Sequence, residues 1–370
     1  MLYKRMPIEK ESPEETGYDT IQYNLSESSV TDLRFNELNI QLGNLKLEYI
    51  PHRGHTGLRT LLATEAGLHP NQVLLTNGAA GALFIINTAL LNSYDHLIVV
   101  RPNYATNLVV PETIGCSITY IDLTFEQQWQ VPVEAIRAAI LPNTRLISLT
   151  SPHNPTGMVM SREALQALIT IAEEKNVYLL ADETYRDACF ITPYPILASL
   201  SPKVISVSSL SKAFGLPGLR MGWVITQNDN LMEQFLAGKE MMYISNSALD
   251  EEAAFQFYQQ KASFAAAINK RSLANYQLFA NWLQQQARLE YVLPQGGVVC
   301  FPRLKDPATI DLPKFYELLN QQYKTMVGPG HWFSMPDHYM RIGFGWPAYT
   351  ALQQGLENID KALAASTLHT

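Results

Sequence analysis

The sequence predicts an α/β protein, with a large unit on a mostly parallel central sheet followed by a smaller α+β unit. Three observations predict it. Short continuous apolar runs alternate with amphipathic stretches from about residue 58 to 225, the texture changes after about residue 230, and 370 residues exceed what one small domain uses. Continuous rather than alternating apolar runs mean strands buried on both faces, as in a parallel sheet covered by helices.

In chain order, the first 20 or so residues are polar and read as an arm. Residues 58–66, 81–91, 133–140 and 161–175 read as helices, the last with Ser161 as N-cap. Residues 73–76, 96–100, 117–122, 145–149, 177–181 and 204–207 read as strands. Later, 251–288 reads as a long helical region, 298–301 and 339–342 as short strands, and 348–364 as a closing helix. The expected division is an arm with part of a small domain over 1–45, a large domain over 46–250, and the rest of the small domain over 251–370. The arm joins the small domain because chain ends commonly lie close together.

A net charge of −7 argues against nucleic acid or an anionic membrane as the main partner, while leaving room for a local cationic pocket. The hydrophobic share of 47% against 16% charged supports a large core. Cys116, Cys189 and Cys300 are far apart and form no C-x-x-C pair, so neither a disulfide framework nor a metal site is expected. The start lacks the apolar run of a signal peptide, and no stretch of about 18 apolar residues exists to span a bilayer. A reducing, cytoplasmic setting is the expectation.

In an open α/β sheet, ligands bind beyond the carboxyl ends of the strands, and the polar residues of interest all follow predicted strands. Lys212, in Ser208-Ser209-Leu210-Ser211-Lys212, sits among hydroxyls and apolar residues after the run 204–207. A lysine in a partly dry pocket becomes a nucleophile toward a carbonyl, and the plain alternative is a surface loop. Arg220, in Gly218-Leu219-Arg220-Met221-Gly222, suits a phosphate, and Ser209 can add a hydroxyl. Asp182, in Ala181-Asp182-Glu183-Thr184-Tyr185, is either an N-cap or the partner of a buried pyridinium nitrogen. Asn154-Pro155-Thr156-Gly157 alone is a good turn sequence. Gly78, Ala79 and Ala80 open a helix after the run 73–76, where free backbone N–H groups attract an anion. Arg341, in Met340-Arg341-Ile342-Gly343, needs an anionic partner if buried, or is an edge-strand arginine facing water.

The order and spacing of N-P-x-G at 154–157, D-x-x-Y at 182–185, S-x-x-K at 209–212 and then Arg220 resemble the class I/II aminotransferases. The resemblance runs from about Tyr49 to Arg341. It implies the PLP-dependent transferase fold type I, pyridoxal 5'-phosphate (PLP) as cofactor, and transfer of an amino group from an amino acid to a 2-oxo acid. Lys212 would hold the cofactor as a Schiff base, with Asp182 and Tyr185 completing the catalytic set. Asp182 would bind the pyridine nitrogen, Asn154 and Tyr185 the phenolic oxygen, and Tyr104 would stack on the ring. Ser209, Arg220 and the amides around Gly78, Ala79 and Ala80 would hold the phosphate. Tyr49 resembles the tyrosine that reaches the phosphate of the other subunit, which implies a homodimer with shared active sites. Arg341, beside Asn154, would grip the substrate α-carboxylate.

Two departures from the family pattern stand out. The segment Tyr23-Asn24-Leu25-Ser26-Glu27-Ser28-Ser29-Val30 lacks the Gly-x-Pro that many members carry near the substrate. Glu27 or a serine such as Ser28 contacts substrate there, or the segment is a solvated turn, and the sequence leaves both open. No second arginine for a dicarboxylate side chain is assignable, with Arg34 and Arg53 candidates by proximity only. His331 and Trp332 line the pocket or pack a loop. The same constellation serves lyases, cyclases and decarboxylases, so these remain the alternative. A non-enzymatic PLP-binding regulator would need a DNA-binding module that is not visible.

Overall fold

The computed structural model describes residues 2–368. Seven strands form the central sheet: β1 (Val73–Asn77), β2 (His96–Arg101), β3 (Ser117–Asp122), β4 (Thr144–Thr150), β5 (Tyr178–Asp182), β6 (Val204–Ser209) and β7 (Met221–Ile225). Their spatial order is β1-β7-β6-β5-β4-β2-β3. The pairs from β3 across to β6 are parallel, and β7 runs antiparallel to both of its neighbours. The mostly parallel sheet predicted from the apolar runs is present, with one reversed strand that the sequence reading did not separate from the Arg220 loop. The loop 210–220 holds only a single 3₁₀ turn, Pro217–Leu219, and is too short for the helical crossover that a parallel return needs.

That reversal positions the site. With β7 turned between them, β1 and β6 run in the same direction, so the carboxyl ends of β1, β2, β4, β5 and β6 share one edge with the amino end of β7.

Alternate residues of one strand face opposite sides of the sheet. Leu97 and Val99 of β2 join a core with Leu83, Ile86, Val224 and Phe235, while Ile98 and Val100 join another with Ile147, Leu149 and Leu168. The helices that cover the faces are α1 (Thr56–Ala66), α2 (Gly78–Leu90), α3 (Ala105–Ile114), α4 (Arg162–Glu174) and α5 (Asp229–Tyr243). Ser161 caps α4 as expected, its hydroxyl accepting from the Ala164 amide at 3.1 Å. Helix α2 begins three residues before the predicted start, so Gly78, Ala79 and Ala80 form its first turn. Helix α3 contains Pro111, which masked it in the sequence.

The helical region after residue 250 is two helices, α6 (Ala248–Gln259) and α7 (Lys261–Gln284), and the chain closes on α8 (Tyr349–Ala365). A three-stranded sheet places Met340–Gly343 between Val299–Cys300 and Gly328–Pro329, so Arg341 lies on a central strand and not an edge. Tyr23–Asn24 pairs in parallel with Thr325–Met326, which ties the N-terminal stretch to the C-terminal part. The Gly343 amide donates to the Leu25 carbonyl at 2.7 Å. A Cβ at Gly343 would lie 1.8 Å from the Glu27 carbonyl oxygen, so only glycine lets the segment 24–28 press against the Arg341 strand. Among the described residues no helix is long and apolar enough to cross a membrane.

Candidate active site

The polar residues at the shared edge converge on a cavity of about 310 Å³. Lys212, Asp182, Tyr185, Asn154 and Tyr104 line it, as do Ala79, Ala80, Ser209 and Arg220, and Arg341 reaches it from the small sheet. Glu27, Ser28 and Trp332, also singled out in the sequence, line it too. A wider neighbouring cavity of about 850 Å³ holds His331 and shares only Trp332 with this one.

One end is built for an anion. Gly78 has φ +68°, and a Cβ there would meet Arg220 Nη2 at 2.7 Å. A Cβ at Gly222 would lie 2.3 Å from the Gly78 carbonyl carbon and 2.6 Å from the Ala79 nitrogen. Glycine at both positions lets the first turn of α2 and the Arg220 guanidinium come together. Arg220 is exposed, and its Nη1 donates to the Pro217 carbonyl at 2.9 Å with no carboxylate partner among the described residues. Free helix N–H groups, a guanidinium and the Ser209 hydroxyl therefore face one spot, which fits a phosphate. Gly222→Ala is expected to lower stability by about 1–3 kcal/mol through overpacking and to weaken cofactor affinity. Urea denaturation and a cofactor titration check the two effects.

The middle is built for a cationic ring. Asp182 ends β5 at 5% exposure. Its Oδ1 accepts from the Thr184 amide at 3.1 Å and the Thr184 hydroxyl at 2.6 Å, while Oδ2 has no partner among the described residues. Burial pushes the carboxyl pKa up and the Thr184 bonds pull it back. No helix starts at Asp182, since the following 3₁₀ turn, Arg186–Ala188, has Tyr185 as its cap, so the N-cap alternative falls. A buried carboxylate with one oxygen free at a cavity wall suits a protonated ring nitrogen. Lys212 is half-buried and lines the same cavity. Tyr185 is buried, which pushes its hydroxyl up to about 12 against the opposing charge of Arg341. Tyr104 keeps 38% exposure, so its ring is not packed away. Asn103 fixes it, accepting from the Tyr104 amide at 2.7 Å and from Asn107 Nδ2 at 3.0 Å.

His153 joins the two loops that carry Tyr104 and Asn154. It is buried, its Nε2 donates to the Pro102 carbonyl at 2.8 Å, and its Nδ1 meets the Thr156 hydroxyl at 2.9 Å. Burial holds its pKa down to about 4, below the ordinary 6.5. Between these values the unfolded chain binds a proton that the folded one does not, so stability falls as pH drops from 6.5 toward 4. The expected loss from this residue is about 3 kcal/mol over that window. His153→Gln should flatten the pH dependence of the urea midpoint by that amount, and parallel curves would remove His153 as the cause.

The far end is built for a carboxylate. Arg341 is 3% exposed, its Nη1 donates to Asn154 Oδ1 at 3.1 Å and its Nη2 to the Ser26 carbonyl at 2.6 Å. Its Nε has no partner, and the guanidinium carbon stands 4.9 Å from the Phe333 ring centroid. Burial pushes its pKa down, opposed by Tyr185 and Glu27. A buried cation without a protein anion fits a ligand carboxylate.

Other candidates lie elsewhere. Tyr49 is 82% exposed and does not line the cavity. Arg53 pairs with Glu233 and the Asn71 carbonyl, Arg34 is exposed, and neither reaches the cavity. His331 is held by Asp337 at 2.8 Å and Glu11 at 2.7 Å. Sequence reasoning missed the cover. Ile8, Glu9, Ser12, Pro13 and Glu14 of the arm line the cavity, and Glu11 ties that arm down by accepting from Trp332 Nε1 at 2.8 Å. The arm carries no motif that could have signalled this.

Residues 22–352 match the family of class I and II aminotransferases. The chain belongs to that family. Over 360 residues the enzyme is 28% identical to capreomycidine synthase of Streptomyces vinaceus, covering 94% of this chain and 91% of that one. Over 336 residues it is 25% identical to the aspartate aminotransferase of Thermotoga maritima, covering 87% and 84%. Its structure is similar to that of a PLP-dependent aminotransferase from Streptococcus suis, with a TM-score of 0.91, 25% identity and full coverage of both chains. The enzyme's cofactor is PLP, and the phosphate cradle and the free Asp182 oxygen fit it.

Proposed function

We propose that this PLP-dependent aminotransferase moves an amino group from an amino acid to a 2-oxo acid, with Lys212, Asp182 and Tyr185 as its catalytic residues. The supporting observation is the pairing, in one cavity with Lys212, of a buried guanidinium lacking an anion and a buried carboxylate lacking a cation. When bound, the cofactor supplies an electron-withdrawing ring that weakens the bonds at the substrate Cα. Asp182 would hold the ring nitrogen and keep its proton. Asn154 and Tyr185 would hold the phenolic oxygen, and Tyr104 would stack on the ring. Ser209, Arg220 and the amides of Gly78, Ala79 and Ala80 hold the phosphate. Lys212 would hold the cofactor through its amine, and the same amine would take the proton from the substrate Cα. Arg341 would fix the α-carboxylate and so orient the bonds at Cα. Residues 8–14 exclude water. We read residues 46–250 as the cofactor-holding domain, 1–45 with 251–370 as the smaller one, and the setting as cytoplasmic. Tyr49 reaches the partner subunit's phosphate in a homodimer.

A second reading is a reaction on an amino acid that needs no acceptor at the same site, supported by the near full-length similarity to a protein named as a synthase, capreomycidine synthase. The test is incubation of the holoenzyme with a panel of amino acids while its spectrum and products are followed. Transamination releases one 2-oxo acid per site and then stalls until an acceptor is added. Turnover without an acceptor would replace it with the second reading.

A further inference from the structure

We infer that Glu27 is the specificity-determining residue of this cavity and that the substrate is an amino acid with a cationic side-chain group, an ammonium or a guanidinium. This rests on the reading that Arg341 receives the α-carboxylate.

Glu27 follows the residue whose carbonyl holds Arg341, so it stands at the substrate end of the cavity. Its backbone is pinned there by the close approach to Gly343. The residue is 9% exposed, and its Oε1 accepts from the Tyr18 hydroxyl at 3.1 Å. Oε2 has no hydrogen-bond partner among the described residues. No ion pair among the described residues involves Glu27, Glu14, Lys212 or Arg341. Glu27 is therefore not the salt-bridge partner of the arginine beside it. A carboxylate this buried is costly unless something cationic meets it.

The surroundings repeat the same preference. Glu14, on the covering arm, adds a second carboxylate to the cavity wall. Burial and the Glu14 charge raise the proton affinity of Glu27, while Lys212 and Arg341 oppose them. A dicarboxylic amino acid would set its second carboxylate against these two acids. Arg220, the cavity's other guanidinium, belongs to the phosphate end. A neutral apolar side chain would seal Glu27 away from water with the Tyr18 hydroxyl as its hydrogen-bond partner and no cation in contact with it. A methylene stem ending in a cation meets both needs, because Trp332, Ile8 and Pro13 give the stem apolar wall and Glu27 receives the charge.

The experiment uses the holoenzyme and its Glu27→Gln and Glu27→Asp variants. Arginine, lysine and ornithine are compared with norleucine and glutamate, both in turnover and in binding by calorimetry. The wild type should favour a cationic donor over norleucine by about tenfold or more in kcat/KM. Glu27→Gln should cut that ratio by about tenfold, and Glu27→Asp should keep part of it. Equal losses for arginine and norleucine, or a wild-type preference for norleucine or glutamate, would overturn the inference while leaving the transfer reaction intact. Binding of arginine that depends on Glu27 without release of a 2-oxo acid would uphold the inference and sink the transfer reading. Cationic amino acids that neither bind nor react would overturn the inference.

Discussion

Lys212→Ala is expected to abolish the covalent chromophore and to lower kcat by about 10⁴-fold or more. Among the described residues no other amine lines the cavity, so none of them can stand in for it. The side chain makes no hydrogen bond or ion pair among the described residues, and its carbonyl keeps the bond from the Val30 amide whatever the side chain is. The variant should therefore fold, with a urea stability within about 0.5 kcal/mol of the wild type. Absorbance spectroscopy and single-turnover kinetics on a folded variant make the test clean. A retained covalent chromophore would move the role off position 212.

The second large effect is expected at Arg341. Removing one partner of a buried charged pair costs on the order of 2–5 kcal/mol, so Arg341→Ala should lower kcat/KM for amino acids by about 10²–10³-fold, mostly through KM. Cofactor affinity should change far less, because the proposed phosphate cradle around Arg220 and Gly78 is built from other segments. Arg341→Lys separates charge from geometry, since an ammonium cannot present two parallel donors to a carboxylate. Equal losses of substrate and cofactor binding would mark Arg341 as structural. Steady-state kinetics and a cofactor titration on both variants decide it.

Much of the candidate site was legible because several of its chemical residues sit just after an apolar run. Asp182, Asn154, Ser209 and Lys212 each end or follow a strand whose burial could be read from composition alone. What stayed hidden depends on contacts distant in sequence. The direction of β7 follows from a loop too short to cross over, not from its residues. Pro111 argued against α3, and the tertiary packing of Leu108 and Val110 overrides it. Nothing local in residues 8–14 marks them as a cover, because their placement comes from Glu11 meeting His331 and Trp332. Glu27 was open between substrate contact and solvated turn. Its burial decides against the turn, through a glycine at 343 that carries no chemistry of its own.

The reversed strand β7 also orders events in assembly. Its register with β1, Thr76 beside Gly222 and Asn77 beside Met221, joins segments that the rest of the sheet separates along the chain. Such a distant pairing pays its loop-closure entropy before any contact rewards it, so it is slow to form relative to local hairpins and helices. The proposed phosphate grip is thus a seam between two segments far apart in the chain. Cofactor capture would consequently report on that pairing, since a chain in which Met221–Ile225 had not met Val73–Asn77 would not bring Gly222 against Gly78.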